Sequence, residues 1–229
     1  MPRLSHAVFA AWLLGPSITH ACPDYSTDPS LLVALEPGAT KGALSDDEKA
    51  CLEQRYASAE QQTTKDKISR VLLVNAYAYS TSYWAELVQR HLDEVDRSDP
   101  DIAYLYAFYL FNTDKEAAPE VVRWTEVALE RRDVWTGEVF VGRVFGLMRL
   151  RAVAAQAQWI QAEEVVAREG TDESRAEAGR LKNQVKTYSR EWVDFARVAG
   201  REPGEAIRLC LSVASNAMAC GIDEDDLPR

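Results

Sequence analysis

The stretch TGEVFVGRVFGLMRLRAVAAQAQWIQAEEVVAREGTDESRAEAGRLKNQVKTYSREWVDFARVAG, Thr136 to Gly200, decides the fold. In its first half, apolar or small residues fall at Val141, Phe145, Met148, Ala152, Ala155, Trp159, Ala162 and Val166, in steps of four and three that mark one face of a helix. Ala178, Leu181, Val185, Tyr188, Trp192, Phe195 and Ala199 continue the rhythm in the second half. Reflection about residue 170 pairs Trp159 with Leu181, Ala155 with Val185, Ala152 with Tyr188, Met148 with Trp192 and Phe145 with Phe195. Small residues often face large ones there, as close packing requires. Gly170 stands where a helix C-terminus needs positive φ, and Thr171 with Asp172 and Glu173 supplies a cap and an acidic first turn. The spacing therefore predicts two long antiparallel helices.

Outward toward the N-terminus, Glu120 to Glu130 and Asp101 to Phe111 read as one helical pair, with Asn112 to Pro119 inside it. Tyr83 to Val95 and Ile68 to Tyr79 read as another, separated from the first by Asp99-Pro100. Ser45-Asp46-Asp47-Glu48 is a capping box opening a helix to about Ala59 that carries Cys51, Leu52 and Tyr56; Gln61 to Thr64 reads as the loop after it. Residues 22–44, rich in Pro and Gly, read as a lead-in in which Asp28-Pro29 starts a short helix through Leu31 to Glu36, stopped by Pro37-Gly38. Toward the C-terminus, Gly200 and Pro203-Gly204 end the long hairpin, and Glu205 to Ala214 makes a closing helix. One domain over 45–221 and an acidic tail over 222–229 complete the division.

Leu72, Ala76 and Tyr79 in one first helix, Tyr106, Ala107 and Leu110 in the next, and Val121, Thr125, Ala128 and Leu129 in a second helix give the chain its likeness to a known class. Over about residues 65–168 it resembles the tetratricopeptide-repeat class of helical-hairpin solenoids. Ala76 to Ala107 is a step of 31 and Leu92 to Leu129 a step of 37, so the family's 34-residue period holds on average. Thr125 stands where the class has an aromatic, and the full Trp, Leu-Gly, Tyr and Pro pattern is absent. The expected fold is all-α: tandem antiparallel hairpins, a long C-terminal hairpin and a disulfide-stapled cap.

A content of 47% hydrophobic and 27% charged residues is that of a globular protein. The net charge of −10 argues against nucleic acid, whose phosphates need a surplus of Lys and Arg, and against simple attraction to anionic lipid. Residues 1–21 read as a secretory signal: Arg3, then the apolar run AVFAAWLL from Ala7 to Leu14, then Gly15-Pro16 and a small-x-small end at Thr19 and Ala21. The expected location is the periplasm or cell envelope. Four cysteines after such a signal suggest two disulfides, most simply Cys22 with Cys51 and Cys210 with Cys220. Alternatively Cys22 carries lipid, although Thr19 and His20 depart from the lipoprotein pattern.

Outside the signal the single histidine is His91, and a lone helical histidine is more often packed or solvated than a base. A Ser-His-Asp site would have to use it, and no Gly-x-Ser-x-Gly elbow accompanies it. Metal-ligand spacings and phosphate loops are absent, so no cofactor is expected. Gly142 and Gly146, four apart inside a helix, read as a site of close helix approach. Glu163-Glu164 point about 100° apart and read, like Asp223 to Asp226, as solvated charge.

The resemblance implies a concave groove lined by the first helices. With Ala76 and Ala107 at the class's small position, Arg70, Tyr77, Tyr104 and Phe108 face that groove, and Arg143 joins them if Gly146 takes the same position. Tyr and Arg supply binding energy at interfaces, and Arg can hold a carboxylate bidentately; the opposing reading has the aromatics filling the core between pairs. The expected function is a non-enzymatic binding or scaffolding module taking a segment of another envelope protein. A structural subunit docking through its outer faces is the alternative, and a carboxylate-based enzyme the remotest.

Overall fold

The computed structural model describes residues 44–79, 81–114 and 116–221, with backbone alone for 77–79 and 81–82. The expected signal peptide, residues 22–43 of the expected lead-in with Cys22, and the acidic tail lie outside the described residues. Eight α-helices and no strands occur among those described: α1 Asp46–Ser58, α2 Gln62–Tyr79, α3 Thr81–Glu94, α4 Pro100–Thr113, α5 Ala118–Glu130, α6 Gly137–Glu169, α7 Asp172–Val198 and α8 Gly204–Val213. Each helix packs on its neighbours in sequence, and α4 also packs on α6. No described helix is long and apolar enough to cross a membrane.

Local chemistry sets the boundaries. The capping box forms: Ser45 Oγ accepts the Glu48 N–H at 3.2 Å while Glu48 Oε2 accepts the Ser45 N–H at 2.8 Å. Gly170 has φ of +60°, which closes α6, and Thr171 accepts the Ser174 N–H at 3.1 Å to open α7. One expectation fails. Residues 62–64 belong to α2 rather than to a loop, and Gln62 Nε2 donates to the carbonyls of Glu94 and Val95 at 2.8 and 2.9 Å, tying the start of α2 to the end of α3.

The core is continuous from Leu52 on α1 to Val213 on α8. Trp84 and Trp192 are its largest fully buried side chains. Helices α6 and α7, of 33 and 27 residues, form the expected hairpin, with Leu147, Ala152, Ala155, Val185 and Trp192 buried. Its far end is offset from simple reflection: Phe145 meets Trp192 at 5.7 Å between ring centres and Phe195 meets Phe140 at 6.0 Å. Reflection assumes straight parallel axes, whereas helices of this length curve and cross at an angle. The Cys210–Cys220 disulfide staples the turn Ala217–Cys220 onto α8, and that turn also packs on α7. Cys51 is not a free thiol.

Candidate functional site

The densest polar chemistry lies where α2, α3, α4 and α6 converge, and Asp99 is its hub. Asp99 caps α4: its Oδ1 accepts the N–H groups of Asp101 and Ile102 at 2.9 and 3.2 Å, with Pro100 in the first turn. Its Oδ2 accepts His91 Nε2 from α3 at 2.9 Å and Arg70 from α2. Burial alone would push the Asp99 carboxyl up, but the His91 hydrogen bond and the Arg70 charge outweigh it and hold the group below the usual carboxylate range. Burial also disfavours the charged form of Arg70, and the carboxylates of Asp99 and Asp66 more than offset that.

A ladder of charges continues from this hub. Arg70 Nε donates to Asp66 at 2.8 Å, and its Nη1 lies 3.5 Å from Asp101. Asp101 in turn accepts Trp135 Nε1 at 2.8 Å and pairs with Arg143 of α6. The Arg143 guanidinium stands 5.2 Å from the ring centres of both Tyr104 and Trp135. Tyr104 packs on Phe108 at 4.8 Å. Phe108 reaches α6 where a Cβ on Gly146 would meet its ring at 3.0 Å, so this glycine admits close approach; a Cβ on Gly142 would meet nothing within 4 Å.

Four of the five residues expected to face a partner, Arg70, Tyr104, Phe108 and Arg143, thus share one seam, each of them half-buried. The side chain of Tyr77 lies outside the described residues. Asp99 and Asp101, which organise the seam, were not singled out in the sequence. Asp-Pro ahead of an apolar run is a cap signature, and that was the available signal.

Ser69 Oγ lies 3.0 Å from His91 Nδ1, completing a Ser-His-Asp set with Asp99. All three side chains are fully buried and both Asp99 oxygens are engaged, so no substrate carbonyl reaches Ser69. The set acts as a polar staple among three helices. Asp66, His91 and Asp99 could also be viewed as metal ligands, their atoms lying within 4.8 Å of one another. Arg70 bonds both carboxylates and already supplies the positive charge a cation would bring.

A second feature lies where α4 ends and α6 runs on. There a concavity of about 410 Å³ is walled mainly by Phe111, Val121, Val153, Ala154, Ala157 and Ile160. No protein-family model, curated protein or solved structure matches the chain.

Proposed function

We propose that this chain is a non-enzymatic binding or scaffolding module of the cell envelope. In this reading it is a tetratricopeptide-repeat-like stack of hairpins that holds a segment of another protein along the seam of α2, α4 and α6. Its main support is the convergence of Arg70, Asp101, Arg143 and Tyr104, each on a helix, with Trp135 from the connection between α5 and α6. Side chains held in place before binding lose little entropy when a partner arrives. Arg143 acts by fixing the rings, Arg70 is held by Asp66, Asp99 and Asp101, and a partner carboxylate has to compete with Asp101 for Arg143. The signal read at residues 1–21 and the Cys210–Cys220 bond support an oxidising compartment.

The test is site-specific photo-crosslinking in the host envelope, with the reactive group at position 104 and, as a control, at the exposed Arg180 of α7. One partner is expected at 104 and none at 180. Tyr104→Ala should weaken the purified partner's binding about tenfold with helical content intact, as for an interface hot spot. Crosslinking at 180 alone would favour docking through an outer face, and an unchanged affinity in Tyr104→Ala would remove the seam from the proposal.

A further inference from the structure

The concavity beside Phe111 is separate from the seam, and none of the seam residues lines it. Phe111 comes from α4, Val121 from α5, and Val153, Ala157 and Ile160 from α6. It stays open because Ala118, Ala154 and Ala157 are short, and because Gln158 Nε2 donates to the Ala118 carbonyl at 3.3 Å and pins the start of α5 to α6. Ile160 is left 48% exposed, a large apolar side chain facing water. A volume of about 410 Å³ falls within the range of small-molecule pockets, which run from about 300 to about 1,000 Å³ with apolar walls and few polar groups.

Charge narrows the class of occupant. Among the described residues, the polar side chains at the concavity are Asp114 and Gln161, and none of those lining it is Lys or Arg. Asp114 Oδ1 accepts the Glu116 N–H at 2.8 Å, and among the described residues its other oxygen has no partner. A carboxylate-headed chain would meet like charge there, while an ammonium head would meet the Asp114 carboxylate. We propose that this concavity binds an amphiphile with a single aliphatic chain and a cationic head. The chain lies against Val153, Ala157 and Ile160, and the ammonium sits on Asp114. This site does not depend on partner binding at the seam.

The experiment measures displacement of a solvatochromic naphthylamine dye from the purified protein by dodecylammonium, dodecanoate and dodecanol, each below its micelle-forming concentration. Dodecylammonium should bind about tenfold tighter than dodecanoate, as one charge-assisted hydrogen bond implies. Asp114→Asn should abolish that preference and leave dodecanol unchanged. Ala157→Trp, which fills the concavity, should abolish binding of all three with helical content preserved, and Val153→Phe serves if that variant does not fold. Equal binding of dodecanoate and dodecylammonium, indifference to the filling substitutions, or no binding of any chain would overturn the assignment.

Discussion

Between Gln62 and Thr113 three helices meet over the buried polar groups Ser69, His91 and Asp99 with half-buried Arg70 beside them, whereas between Gly137 and Val198 two longer helices meet over Leu147, Ala152, Ala155, Val185 and Trp192. Even the one charge buried in the long hairpin, Arg151, sits at its margin. It pairs with Glu191 and lies 4.2 Å from the Tyr188 ring centre. Directional contacts concentrate stability on a few atoms, because a lost partner leaves other groups buried and unsatisfied. Apolar contacts spread it over many side chains that each give a little. The first region should therefore respond steeply to single polar substitutions and to acid, and the second should resist both.

The largest effect is expected at the hub. Asp99→Ala removes the cap of α4 and takes the acceptor from His91 Nε2 and from one guanidinium nitrogen of Arg70, which keeps Asp66 and Asp101, and urea denaturation should show a loss of about 3 kcal/mol. Asp99→Asn, which keeps an oxygen for the cap, should lose less; an equal loss would mean that the charge, not the cap, dominates. Next comes the staple at the other end. Replacing Cys210 and Cys220 together by Ser opens a link across a sequence separation of 10 and should cost about 2–3 kcal/mol, read in the same denaturation.

Acid tests the contrast without mutation. The Asp99 carboxyl is lowered in the folded protein, so its contribution is fully present above the unfolded value of about 3.9. It is lost as pH falls through the lower folded value. Between about pH 6 and about pH 3 the wild-type urea midpoint should fall further than that of Asp99→Asn; identical falls would assign the acid sensitivity to other carboxylates. Smaller again is Gly170→Ala, which places a Cβ at φ of +60° and should cost about 1 kcal/mol in thermal unfolding. Smallest is Arg149→Ala: its pair with Glu205 at 3.0 Å is half-exposed on both sides, and less than about 0.5 kcal/mol should be lost. A larger loss there would show that surface charge, too, holds α8 onto the long hairpin.

The same contrast governed what could be read in advance. The hairpin, its turn at Gly170 and the Ser45 capping box follow from relations within a few residues, and all three occur as expected. The sequence points to Arg70, Tyr77, Tyr104, Phe108 and Arg143 as one group, and the four whose side chains are described share a seam, but nothing local marks Asp99 and Asp101 as the acids that hold the two arginines there. His91 shows the limit most plainly. In sequence it was one histidine among charged neighbours, and in the fold it is fully buried between Ser69 and Asp99.

By itself, then, the sequence determined the helices, most of their ends and the antiparallel return at residue 170, because the 3.6-residue period, caps and positive-φ glycines are local properties of the chain. Only the tertiary structure decided that Asp99 joins Arg70 and that Asp101 joins Arg143, contacts spanning 29 and 42 residues. It also decided that α6, running past the end of α4, leaves a concavity beside Phe111. Those outcomes depend on how each helix is rotated and how far it slides against its neighbour, which the sum of all packing contacts sets and no short stretch encodes.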